Sequence, residues 1–164
     1  MPPLTPHDLG RLYRDHAPAL RLFARQWPGC AEDVVQDAFV TLARQDPPPQ
    51  QVLAWLCQVV RNGAVAAARS AGRRRRRENA ASAPEAWFAV ADDRLDAADA
   101  ARALAELPLE QREVIVARLW GGLTFDEIAK LVGCSLPTAH RRYHAGLTEL
   151  RTRLRVPCTE TPTV

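Results

Sequence analysis

Lysine is almost missing from this chain: of 22 basic residues, only Lys130 is a lysine. Coding bias toward arginine explains that global ratio as well as function does, and a net charge of +3 is too small to announce a nucleic-acid partner by itself. Cysteine is sparse and scattered. Cys30, Cys57, Cys134 and Cys158 form no C-x-x-C and have no paired histidine spacing, so they read as free thiols, with no zinc site, disulfide framework or cofactor expected. No apolar run approaches the roughly 20 residues of a membrane span. The start, Met1-Pro-Pro-Leu-Thr-Pro6, lacks the basic-then-apolar layout of a signal peptide. A cytoplasmic location without membrane insertion is therefore expected. Alternating strand-type segments bounded by hairpin turns are also lacking, which leaves helices as the building material.

What is present is periodic. Thr5-Pro6-x-Asp8 combines an N-cap, a first-turn proline and a carboxylate at the positive end of a helix dipole. From there Leu9, Leu12, Tyr13, Ala17, Leu20, Phe23 and Ala24 recur at spacings of three and four until Pro28-Gly29. A second helix is expected from about Ala31 to Arg44. Val34, Val35, Ala38, Phe39 and Leu42 would face inward, with Glu32, Asp33, Gln36 and Asp37 outward, before Pro47-Pro48-Pro49. A third, from about Gln51 to Arg69, carries Val52, Trp55, Leu56, Val59, Val60 and Val65. On this stripe Trp55 reads as core, and Asn62 beside Gly63 reads equally well as a helix C-cap. Three such helices close one core, giving a first domain over residues 1–70.

From residue 71 to 94 the apolar pattern fails. Gly72, Arg73 to Arg77 and a polar, alanine-rich stretch offer no face to bury, so a flexible linker is expected there. A second all-helical domain follows over residues 95–156, with helices at Leu95 to Leu107 and at Pro108 to about Trp120, a break at Gly121-Gly122, and two more helices around Gly133. Residues 157–164 form a short tail. The fold class expected is all-α, two small helical domains on a linker.

The densest local signal lies between Leu123 and His144. Thr124 with Glu127 makes a capping box, Ile128, Ala129 and Leu131 form an inner face, and Gly133 permits a tight turn. Ser135 caps the next helix and Pro137 fits its first turn, leaving Thr138, His140, Arg141, Arg142 and His144 to project outward. Helix, tight turn and basic helix are the layout of a helix-turn-helix, whose second helix enters the major groove while flanking groups hold phosphates. Arginine suits both tasks, because its planar fork of donors matches phosphate oxygens and guanine edges. A hairpin of two helices with a merely solvated basic face is the bland alternative.

Ala103-Leu-x-x-Leu-Pro-x-x-Gln-Arg-Glu-Val-Ile115, the helix-turn-helix, and Gly146-Leu-x-x-Leu-Arg151 together resemble the promoter-binding region four of sigma-70 family factors. Independently, Ala31-Glu-Asp-Val-Val-Gln-Asp-Ala-Phe-Val40 resembles region two, and Trp55-Leu-x-x-Val-Val-Arg-Asn62 resembles the following segment in the extracytoplasmic-function group. The resemblance implies a sigma factor that binds core RNA polymerase and promoter DNA and directs melting and initiation. It implies that Glu32, Asp33, Gln36 and Asp37 dock on polymerase. It further implies that Arg61, Asn62 and Arg69 touch the opened −10 element, and that Ser135, Thr138, His140, Arg141, Arg142 and His144 read the −35 element. Many members of the group have an inhibitory anti-sigma partner, and the resemblance extends that expectation to this chain. Four positions depart from the group: Gly63 follows Asn62 directly, Ala66 stands where an acidic residue is usual, and Pro137 and His140 stand where small and basic residues are usual.

A stand-alone helix-turn-helix regulator is the competing reading. It would require a receiver or nucleotide-binding domain in the first half, where neither a strand-helix alternation nor a glycine-rich phosphate loop occurs. An enzyme using His7, His16, His140 or His144 finds no supporting spacing, since two histidines four apart do not make a catalytic metal site. No catalytic residue and no metal ligand is expected.

Overall fold

In a computed structural model, residues 4–78 and 97–154 are described. They form seven α-helices: α1 (Pro6–Ala24), α2 (Ala31–Ala43), α3 (Val52–Glu78), α4 (Ala97–Ala105), α5 (Leu109–Leu119), α6 (Phe125–Val132) and α7 (Leu136–Leu154). No strand occurs among the described residues.

The start of α1 follows from local chemistry. Thr5 Oγ1 accepts from the Asp8 amide while the Asp8 carboxylate accepts from the Thr5 amide, so two amides at the helix start are satisfied reciprocally. α1, α2 and α3 pack on one another around Leu20, Val35, Leu42, Leu56 and Val60, each with at most 1% of its surface exposed. Gly63 of α3 faces Val34 of α2, and an added Cβ would stand 3.0 Å from Val34 Cγ1. The Asn62-Gly63 pair therefore serves packing and does not end the helix. Trp55 packs against the core but remains partly exposed.

α3 differs from expectation at its end. It does not stop at Arg69 but runs through Gly72 and the arginine run to Glu78. Lack of an apolar face excludes burial, not helix formation. Alanine and arginine are strong helix formers, and one glycine costs only about 1 kcal/mol. The rest of the expected linker and the tail lie outside the described residues, as does Cys158.

In the second half α5 is central. Five consecutive residues, Glu113 to Ala117, are buried, because α6, α7 and α1 of the first half pack against this helix. α7 crosses it at Gly146, where a Cβ would come within 2.6 Å of Ile115 Cδ1. The two halves meet directly: α1 touches α5, α3 touches α6, and their buried side chains join in one apolar cluster.

Cys57 lies in that cluster with 1% exposure. Burial pushes its thiol up to about 12, and the Glu127 carboxylate acts in the same direction. At neutral pH it is a protonated thiol with little nucleophilicity. In the folded chain an alkylating reagent is expected to label exposed Cys30 readily and Cys57 only when the core opens. Mass spectrometry of the labelled peptides checks this, and equal labelling rates would contradict the packing around Cys57.

Candidate nucleic-acid interface

The geometry of α6 and α7 is set by three local devices. At the start of α6, Thr124 and Glu127 form a complete capping box, with the Thr124 amide donating to Glu127 Oε2 at 2.8 Å. At its end Gly133 adopts φ 69°, ψ 42°, a left-handed conformation in which a Cβ is strained. Then Ser135 Oγ accepts from the Thr138 amide at 3.3 Å and pairs with Thr138 Oγ1 at 2.8 Å. The chain thus turns tightly and restarts, and Ala139 drops fully into the core.

The expected reading residues fall into two groups. Ser135, His140, Arg141 and His144 are exposed, while Thr138 and Arg142 are half-buried. Arg141 projects to solvent. Arg142 turns back onto α5, its Nη2 lying 2.6 Å from Glu110 Oε2. His140 is held by a ring stack: its centroid is 3.8 Å from that of Phe125, which has Arg118 over its ring and Tyr143 edge-on at 5.2 Å. His144 continues the column nearly parallel to His140 at 6.4 Å. Among the described residues no group of three or more histidine, cysteine, aspartate or glutamate side chains comes together as a metal cage.

On α2 the outward quartet also divides. Asp33, Gln36 and Asp37 are exposed. Glu32 instead closes an internal clasp, with Arg21 Nε at 2.5 Å and the Tyr13 hydroxyl donating to Oε1 at 3.0 Å. Desolvation acts to raise the Glu32 carboxyl, but the hydrogen bonds from Arg21 and Tyr13 outweigh it and hold the group below the ordinary carboxylate value.

On α3, Asn62 and Arg69 are exposed and lie seven residues apart, two turns along one face. Asn62 Oδ1 accepts from Gln58 Nε2 at 3.1 Å. Arg61 is not open in the same way. Its Nε donates to Glu113 Oε1 of α5 at 2.8 Å, and its guanidinium lies over the Trp27 ring.

Glu110 and Glu113 were not foreseen, yet each holds an arginine of an expected DNA-reading helix. One signal was available for Glu113: it stands three residues before Val116 and four before Ala117, a carboxylate where an apolar side chain would continue the buried stripe. Phe125, which fixes His140, carried no comparable mark.

Comparison with known proteins follows this division into halves. The family model for sigma-70 region 2 matches residues 12–74, and that for sigma-70 region 4 matches residues 98–150. A comparison with curated proteins gives no significant match. Among solved structures, the sigma factor RpoE from Bartonella quintana, determined in complex with the anti-sigma factor NepR, is similar at 28% identity with a TM-score of 0.79, over 92% of this chain and 99% of that one. CnrH, determined in complex with the cytosolic domain of CnrY, shares the fold at 24% identity with a TM-score of 0.59, over 94% of this chain and 92% of that one. A score of 0.79 over nearly the whole chain is out of reach for one half alone, so the RpoE halves are arranged much as here. Among the described residues no helix is long and apolar enough to cross a membrane. With regions 2 and 4 matched in order, each on its own helical half, the chain belongs to the sigma-70 family and is an extracytoplasmic-function sigma factor that directs transcription initiation by core RNA polymerase at promoter DNA.

Proposed function

We propose a division of labour among three surfaces. Asp33, Gln36 and Asp37 of α2 bind core polymerase, with Glu32 bracing that helix from beneath. Asn62 and Arg69, joined by Arg61 when it is released, hold the opened −10 strand. Ser135, Thr138, His140, Arg141, Arg142 and His144 present the −35 surface. Residues 1–70 and 95–156 act as the two functional domains, with 71–94 joining them and helical as far as Glu78. The reading is supported most by α7, whose first three turns leave a basic and imidazole face exposed while Ala139 anchors the helix in the core. The factor works in the cytoplasm, needs no cofactor and leaves RNA synthesis to the polymerase. Its inhibitor, by likeness to RpoE, is an anti-sigma protein.

The distinct settings of Arg141 and Arg142 supply the test. Replacing free Arg141 by alanine is expected to cost about 1 to 3 kcal/mol on the cognate −35 duplex and to relax preference at one base pair. Replacing Arg142, which is tethered by Glu110, is expected to weaken all sequences alike and lower the salt slope by about one. Fluorescence anisotropy of the holoenzyme on single-base duplex variants at several salt concentrations separates the two. Unchanged base preference in Arg141→Ala would remove that residue from readout.

A further inference from the structure

α5 carries two carboxylates one turn apart, and each takes an arginine that the proposal above assigns to DNA. Glu110 holds Arg142 within its own half. Glu113 reaches into the other half and holds Arg61, a contact spanning 52 residues of sequence. The Glu113 side chain is 5% exposed and that of Arg61 26%. Beside this pair, Arg112 donates to the Gln26 carbonyl at 3.2 Å and to the Ala105 carbonyl at 2.7 Å. The seam between the halves at this point is thus polar, built from α3, α5 and the α1–α2 connection.

A buried carboxylate is tolerated only when paired, and removing its partner leaves an uncompensated charge away from water. Glu113 therefore favours whichever arrangement keeps Arg61 opposite it. The seam is also incompletely satisfied: Gln26 is 5% exposed, and both polar atoms of its side-chain amide are buried without a hydrogen-bond partner among the described residues. Opening would hydrate Gln26 and Glu113 together, so the polar part of the seam resists separation less than an apolar core would. Arg61 cannot serve two partners. While its guanidinium lies on Glu113 and Trp27 it is withheld from phosphates and bases.

We propose that Glu113 is a latch: by pairing with Arg61 it holds the two halves closed and keeps the −10 surface of α3 incomplete until the halves separate. The DNA part of this inference rests on the assignment of Arg61 to −10 binding, and the experiment separates the two. Small-angle scattering of the full chain gives the radius of gyration of the wild type, Glu113→Gln and Arg61→Gln, with helix content by circular dichroism as the folding control. Anisotropy with a labelled, mixed-sequence single-stranded DNA pool gives affinity. Both variants are expected to expand. Glu113→Gln is expected to bind the DNA about tenfold more tightly, as an open form populated at about one tenth becomes dominant, whereas Arg61→Gln opens without that gain. Should Glu113→Gln fail to fold, Arg61→Gln alters only the more exposed partner and decides by its radius. If Arg61→Gln expands and gains affinity as much as Glu113→Gln, the latch stands and the −10 role of Arg61 falls. Wild-type radii in the folded variants would overturn the latch.

Discussion

Asp33→Arg is expected to lower affinity for core RNA polymerase by about 10- to 100-fold, or about 1.4 to 2.8 kcal/mol, while leaving −35 duplex binding by the full chain unchanged. Asp33 is exposed on the same face of α2 as Asp37, four residues on, and Gln36 lies beside them. A reversed charge there both removes an attraction and adds a repulsion toward a basic partner surface, the kind of juxtaposition that costs most at an interface. Its position complicates the result in a predictable way. Asp33 lies in the first turn of α2, where a carboxylate favours the helix dipole by about 0.3 to 1 kcal/mol. Asp33→Asn is therefore the necessary companion: it shares part of the helix effect but introduces no repulsion, and should lose much less affinity. Glu32→Gln should behave differently again, weakening the clasp to Arg21 and Tyr13 and acting on stability before binding. Competition binding to immobilised core polymerase, with thermal melting alongside, resolves the three. Unchanged affinity in Asp33→Arg would remove the acidic face of α2 from the polymerase contact.

Ile128→Ala is expected to be the most damaging single truncation of the helix-turn-helix. Ile128 is fully buried on α6 between α5 and α7, and deleting such a side chain costs about 2 to 5 kcal/mol through lost transfer energy and the cavity left behind. In a helical half of this size that is a large share of the total, since whole domains hold only about 5 to 15 kcal/mol and small ones bury proportionally less. The melting temperature of that half should fall by about 10 °C or more. Binding to −35 DNA should fall with it, because the angle between α6 and α7 depends on the same core. Calorimetry checks the first effect and anisotropy the second. A shift corresponding to less than about 1 kcal/mol would mean that α6 is not packed as described.

Where the determinants are local, the sequence was readable. The Thr5 N-cap, the Thr124/Glu127 capping box, the turn at Gly133 and the Ser135 cap are settled within three residues of themselves, and each stands where its spacing placed it. Where side chains answer to distant partners, the reading was incomplete. Glu32 has the spacing of a surface acid, yet Arg21 and Tyr13 of the preceding helix claim it. Arg61 looked free because Glu113 lies 52 residues away. Asn62-Gly63 has the composition of a helix end, but its glycine is required by Val34 on another helix. The continuation of α3 to Glu78 was missed for a different reason: an amphipathic stripe is the signature of a helix that packs, and this stretch has none.

Run-off transcription with purified bacterial core polymerase, on a pool of promoter fragments from the host genome, tests the account as a whole. Adding this protein should yield transcripts absent from core polymerase alone, with their start sites defining the −10 and −35 elements it reads. Binding to DNA without polymerase, together with no new transcript, would contradict it and point to a stand-alone helix-turn-helix regulator.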